Sequence, residues 1–122
     1  MTLKVLAVDD SRTMRDLLEQ ALRGAGFEPR LAADGVDAME RLADAAPDVI
    51  VTDINMPNMD GFGLIDAVRA TRDHRATPIL VLTTERAADL KVRAREAGAT
   101  GWIVKPFDEA RLISAIRRVA AT

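Results

Sequence analysis

A chain of 122 residues is long enough for one domain that buries about two thirds of its unfolded surface around a single core. Its 17 basic and 19 acidic residues leave a net charge of −2, which argues against a nucleic-acid or membrane-surface protein, and without cysteine it can form neither a disulfide nor a thiolate metal site. The N-terminal stretch MTLKVLAVDD falls far short of a signal peptide, and no run approaches the ~18 apolar residues of a membrane span, so a cytoplasmic protein is expected.

The first apolar run, LKVLAV (3–8), reads as a buried strand that ends on Asp9 and Asp10. Ser11 is a candidate N-cap for a helix in which Met14, Leu17, Leu18, Ala21, Leu22 and Ala25 recur at helical spacing, with Gly26 as its stop. A weak strand, PRLAA (29–33), precedes a second helix marked by Val36, Met39, Leu42, Ala43 and Ala46. DVIVTD (48–53) is the third strand, and Leu64, Ile65 and Val68 mark the third helix. His74, between Arg72 and Arg75, reads as solvated. PILVLT (78–83) is the fourth strand. The stretch 87–97 is the weakest helix, rich in Ala and carrying Lys91, Arg93 and Arg95 as exposed charges. GWIVK (101–105) is the fifth strand, and Leu112, Ile113, Ile116, Val119 and Ala120 form the apolar face of the last helix.

Four of the five runs are apolar on both faces and rich in β-branched residues, as buried parallel strands are. The regular alternation predicts an α/β fold, a flavodoxin-like doubly wound five-stranded parallel sheet in the order 2-1-3-4-5 with five helices. In that order strands 1 and 3 are neighbours. Their carboxyl ends carry Asp9, Asp10 and Asp53, with Thr83 ending strand 4 and Lys105 ending strand 5. Ligands of open parallel sheets bind at this crevice.

Each of these residues alone has an ordinary explanation: a turn or cap for an Asp, an N-cap for Thr83, a solvated charge for Lys105. Their coincidence at one edge favours a site. Three crowded carboxylates call for a cation, and an oxygen-only donor set suits Mg²⁺ or Mn²⁺ rather than zinc. A nearby Lys and Thr are groups that a phosphoryl group would want, so the set reads as a phosphoryl-transfer site in which one Asp can be the nucleophile.

Competing motifs fail. An EF-hand loop starting at Asp53 would find Pro57, Asn58 and Leu64 at its fifth, sixth and twelfth positions, and no P-loop is present. Flavin binding would need phosphate donors where Asp9 and Asp10 stand.

VDDS (8–11), the D-x-x-M-P-x-M-D-G stretch from Asp53, VLTT (81–84) and VKPF (104–107) together resemble the receiver domain of bacterial response regulators. The resemblance covers the whole chain and is strongest to the single-domain, CheY-like chemotaxis regulators, since nothing follows the fifth helix. It implies one receiver (response regulatory) domain over residues 1–122 with no output domain. It further implies that Asp53 accepts a phosphoryl group from the phosphohistidine of a sensor histidine kinase or phosphotransfer protein. Asp10, Asp53 and the backbone carbonyl of Asn55 would hold Mg²⁺, with Asp9 assisting through water. Lys105 would pair with the phosphoryl oxygens and Thr83 would reorient toward them.

A cis Lys105–Pro106 bond and an output face made by the fourth helix, fifth strand and fifth helix are implied as well. Trp102 stands where receivers usually carry Tyr or Phe as the switch aromatic, and both a switching and a static core-edge role stay open. Asn55 and Glu85 match the chemotaxis regulators beside the phosphoryl site, implying a short-lived phosphate. In the loop after Asp53, Pro57 is expected to fix one φ angle, Gly61 to free the chain for the third helix, Met56 and Met59 to pack on the sheet, and Asp60 to cap the helix.

The expected function is a phosphorylation-activated switch, not an enzyme beyond its own phosphoryl transfer and dephosphorylation. A flagellar motor switch protein is a candidate target, no nucleic-acid or membrane partner is expected, and the chain is expected to be a monomer. A phosphorelay intermediate or phosphate sink is the alternative. A small phosphatase is disfavoured because Asn55 occupies the position, two residues on, where a general acid would stand.

Overall fold

Five strands and five helices alternate along the chain in the computed structural model, which describes residues 2–84 and 87–121. In order they are β1 (Lys4–Val8), α1 (Arg12–Gly24), β2 (Glu28–Ala32), α2 (Gly35–Ala45), β3 (Val49–Thr52), α3 (Gly61–Ala70), β4 (Ile79–Thr83), α4 (Ala88–Ala97), β5 (Gly101–Val104) and α5 (Glu109–Ala120). A single 3₁₀ turn, Arg72–His74, lies between α3 and β4. The strands are parallel in the order β2-β1-β3-β4-β5, which is the predicted flavodoxin-like sheet.

The period-2 alternation of each central strand divides the core in two. Leu6, Val8, Ile50, Ile79 and Val81 face one layer with Ala38 and Leu42 of α2, Leu64, Ile65 and Val68 of α3, and Ala94 of α4. Val5, Ala7, Val49, Val51, Leu80 and Leu82 face the other, with Leu18 and Leu22 of α1 and Leu112, Ile113 and Ile116 of α5. β3 and β4 are buried at every position. β5 is only half-buried along its length, and β2 is buried only at Pro29 and Ala32. The expectation that β5 is covered on both faces is corrected here, because an edge strand has a neighbour on one side only.

Local chemistry sets the three predicted helix ends. The Ser11 hydroxyl accepts from Met14 N at 3.2 Å, Gly26 at φ 86 stops α1, and the Asp60 carboxylate accepts from Gly63 N at 2.8 Å. Two apolar stripes differ from expectation. Leu17 is 49% exposed on α1, and on α2 Val36 is 41% exposed while Ala43 and Ala46 also face solvent. The face of α2 that packs is Gly35, Ala38, Leu42 and Ala45, with Met39 half-buried. Met59 packs against its start: its side chain occupies the space over residue 35, where a Cβ would come within 2.7 Å of Cγ. Close approach there leaves room for no side chain at position 35, and Val36, next to it, lies off the packed face.

α4 buries only Ala94 and has no side-chain N-cap. Two arginines tie it down. Arg93 places its guanidinium 4.0 Å from the centroid of Phe62, and Arg69 of α3 donates to the Gly98 carbonyl through Nε at 3.1 Å and Nη2 at 2.7 Å. Arg69 also donates to the His74 and Thr77 carbonyls. His74 is therefore not a freely solvated side chain: it is half-buried, with Nδ1 2.9 Å from the Thr77 hydroxyl.

The loop from Asp53 to α3 packs as foreseen through Met56 and Met59, but the backbone freedom assigned to Gly61 belongs to Asn58, at φ 67. Gly61 is needed for space, since a Cβ there would collide with the Asp53 carbonyl oxygen and lie 2.8 Å from Ile54 Cα. Gly61→Ala is expected to cost about 1–3 kcal/mol, as overpacking does, and to lower the urea midpoint. Gly24→Ala, where a methyl meets nothing within 4 Å, is expected not to lower it.

Candidate functional site

The carboxyl ends of β1 and β3 bring Asp9, Asp10 and Asp53 together, each offering a carboxylate oxygen, with these oxygens within 4.8 Å of one another. Burial grades across the set: Asp9 is buried, Asp53 half-buried and Asp10 exposed. Lys105, just past β5, reaches across with Nζ 2.6 Å from Asp9 Oδ2 and 3.0 Å from Asp53 Oδ2. Its backbone N–H donates to the Thr83 carbonyl at 2.8 Å, so the ends of β4 and β5 are joined at the site. The Lys105–Pro106 bond is cis, as the resemblance implied.

Asp9 is held at every polar atom. Its amide donates to the Ala32 carbonyl at 3.1 Å, Oδ1 accepts from Ser11 N at 2.9 Å, Oδ2 accepts from Lys105, and its carbonyl accepts from Arg15 Nη1 at 2.8 Å. Asp53 is held by its amide to the Val8 carbonyl at 3.0 Å, by Ile54 N to Oδ1 at 2.7 Å, and by the Thr52 hydroxyl to its own carbonyl at 2.9 Å. Arg15 was not foreseen. Its position one turn into α1 is the only sequence signal of it.

Among the described residues, Lys105 is the cation that pairs with these carboxylates, one ammonium against three, so the cluster retains negative charge. All the donors are oxygens, and Asp10 faces solvent, so the set fits a hard divalent cation with water in its remaining positions. Burial works against the charge of Lys105, but hydrogen bonds to Asp9 and Asp53 and the charges of both outweigh it, and its pKa is raised above 10.5.

The other predicted residues lie nearby with different exposures. Thr83 is fully buried at the end of β4 and Asn55 is exposed in the loop. Glu85 lies outside the described residues. Trp102 stands opposite Val81 in the sheet register and packs into the core layer beneath α4, on the same face as Thr83. Its indole Nε1 is buried without a hydrogen-bond partner among the described residues. Among the described residues no helix is long and apolar enough to cross a membrane.

The sequence pattern of the response regulator receiver domain matches residues 5–117. The chain belongs to that family, the receiver domains of two-component response regulators. This receiver is similar to the transcriptional regulatory protein PrrA of Mycobacterium leprae, 40% identical over 114 residues that cover 93% of this chain and 48% of the relative. It thus spans about half the length of the curated relatives it matches. Among solved structures, the chemotaxis protein CheY4 of Vibrio cholerae superposes with a TM-score of 0.94 at 44% identity, covering 98% of this receiver and 99% of that chain. The receiver domain of a sensor histidine kinase from Pseudomonas aeruginosa, solved with a magnesium ion coordinated in its active site cleft, gives 0.92 at 27% identity over the full length of both.

Lys105→Met is expected to destabilise this receiver by about 1–3 kcal/mol, because it strands the buried Asp9 carboxylate, and adding Asp9→Asn should recover part of that loss in a double-mutant cycle. The raised folded pKa means that the stabilisation from the ammonium is complete below 10.5 and is lost only as pH rises through the folded value. The gap between wild type and Lys105→Met in urea denaturation should therefore be constant through neutral pH and close in strong alkali.

Proposed function

We propose that the chain is a Mg²⁺-dependent phosphoacceptor switch in which Asp53 takes a phosphoryl group from the phosphohistidine of a sensor kinase or phosphotransfer protein. The observation that carries this reading is the Lys105 ammonium bridging Asp9 and Asp53 inside a three-carboxylate cluster. Asp9, Asp10, Asp53 and the Asn55 carbonyl are assigned to the metal, Asp10 as a direct ligand and Asp9 through water. When bound, Mg²⁺ would neutralise charge on the carboxylates and the phosphoryl oxygens.

The Asp53 carboxylate is the nucleophile. A bond forms from its oxygen to phosphorus while the phosphorus–nitrogen bond of the donor breaks, and the imidazole leaves with the bonding pair. Lys105 exchanges its contact with Asp53 Oδ2 for a phosphoryl oxygen and keeps Asp9, so the ammonium never loses a carboxylate partner. Thr83 turns its hydroxyl toward the new anion, and the aromatic ring at 102, on the same sheet face, follows the space vacated. The face of α4, β5 and α5 changes as a result. Because α4 buries so little, a small differential contact is enough to shift it.

A cytoplasmic chemotaxis regulator acting on a motor switch protein is the form of this reading that the 44% identity and close superposition with CheY4 support. A phosphorelay or phosphate-sink role is the alternative, and a pull-down of motor switch and phosphotransfer proteins with phosphorylated and unphosphorylated chain separates the two.

Asp53→Asn is expected to abolish labelling by a small acyl phosphate, and Asp10→Ala to weaken Mg²⁺ binding more than Asp9→Ala. Full labelling of Asp53→Asn would reject the acceptor assignment. Trp102 quenching is expected to change when a phosphoryl analogue and Mg²⁺ are added, and Thr83→Ala to blunt that change while Mg²⁺ binding persists. Identical quenching in both states would make Trp102 a static core residue.

A further inference from the structure

The loop 54–60 between β3 and α3 is closed on itself: Gly61 N donates to the Ile54 carbonyl at 2.8 Å across its ends, and Met59 N donates to the Pro57 carbonyl at 2.7 Å within it. It is also fastened sideways to a neighbouring loop. The Asn58 amide donates from Nδ2 to Asp34 Oδ2 at 2.7 Å, and Gly35 N donates to the Met59 carbonyl at 3.2 Å. The other oxygen of Asp34 caps α2, accepting from Asp37 N at 2.8 Å, and Asp37 Oδ2 in turn accepts from Ala33 N at 3.0 Å. Asp34 is thus rigidly mounted on the N-terminus of α2. The hydrogen bonds from Asp37 N and the Asn58 amide hold its pKa below 3.8.

Asn58 is one of only two non-glycine residues with positive φ among the described residues, and that conformation aims its amide at Asp34. Met59 fills the space over Gly35, where any side chain would collide. Two hydrogen bonds and one interlocked contact therefore hold the loop against α2, three residues beyond Asn55.

We infer that Asp34 and Asn58 form a latch that positions the Asn55 backbone for metal binding, making both of them positioning residues for phosphoryl transfer although neither touches the acid cluster. This inference rests on the phosphoacceptor reading, in which the Asn55 carbonyl is a metal ligand. A backbone carbonyl on an exposed loop has no side-chain rotamer to correct its aim. Its direction is set by the loop torsions, and the latch fixes the far end of those torsions. Partners that orient a ligand from outside the coordination sphere are known to govern metal affinity.

The test is calorimetric titration with Mg²⁺ alone, beside labelling by acetyl phosphate at limiting and saturating Mg²⁺, with urea denaturation to confirm folding. Asn58→Ala and Asp34→Ala are each expected to weaken Mg²⁺ binding by about tenfold, the lower end for orienting partners. Labelling should slow at limiting Mg²⁺ and regain the wild-type rate at saturation. Asn58→Gly, which keeps access to positive φ but lacks the amide, should show the same loss. The exchanged pair Asp34→Asn/Asn58→Asp, which rebuilds the hydrogen bond with donor and acceptor reversed, should restore affinity.

Single variants that lose stability but bind Mg²⁺ like wild type would overturn the latch and leave a purely structural contact. Wild-type affinity in Asn58→Gly alone would also overturn it, because backbone conformation and not the hydrogen bond would then be the cause. A wild-type chain that neither binds Mg²⁺ nor is labelled would bring down the phosphoacceptor reading, and this inference with it.

Discussion

A single ammonium holds the functional edge of this receiver together. Lys105 Nζ lies 2.6 Å from one carboxylate and 3.0 Å from another, on strands that are not neighbours of its own. Without it, β1 and β3 would end in like charges within 4.8 Å of one another, one of them on a residue almost wholly removed from water. The cation is brought there by the backbone: the Lys105 amide on the Thr83 carbonyl sets where the chain leaves β5, and the side chain then spans β4 to reach β1 and β3. Everything else at the site is built around carboxylates that this contact makes tolerable.

The rest of the fold divides into parts that hold still and parts that can move. The central strands are buried at nearly every position, and they carry the acid cluster and Thr83 on their ends. The loops are fastened individually, Asp9 by Arg15 from α1 and the loop after Asp53 by Asp34 and Asn58. α4 is different. It contributes one fully buried side chain, with Leu90 and Ala97 partly buried against the core, and is tied further by Arg93 on Phe62 and Arg69 on the Gly98 carbonyl. A sheet end that stays fixed while one adjoining helix is lightly tethered is the division of labour that a phosphorylation switch requires.

Elements with strong periodicity were legible in the sequence, and so were caps whose chemistry is local. Ser11 and Asp60 cap their helices because a short oxygen-bearing side chain satisfies an amide two or three residues on, whatever lies elsewhere. Where a larger residue competed with a smaller one, the pattern misled. Val36 looked like core and is exposed, since the face of α2 that packs runs through Gly35, Ala38, Leu42 and Ala45, with Met59, remote in sequence, closing the space over Gly35. β5 looked like a fully buried strand because GWIV is apolar on both faces, although the predicted order already put it at the edge of the sheet. The unusual backbone conformation of this loop falls on Asn58 and not on Gly61, which was expected to free the chain, although Asn before Met-Asp-Gly was a signal that could have been weighed.

Sequence alone determined the α/β class, the strand order and the five residues that meet at the sheet edge, because these follow from period, length and the rule that parallel sheets bind at their carboxyl ends. Tertiary structure decided what those residues do to one another. That Lys105 reaches Asp9 and Asp53 but leaves Asp10 to solvent, that Arg15 holds the Asp9 carbonyl, and that Asp34 braces Asn58 are consequences of how the strand ends and loops are spaced in three dimensions. Such contacts join residues up to 96 positions apart, and at that separation neither propensity nor periodicity carries any information about which polar atoms will face each other.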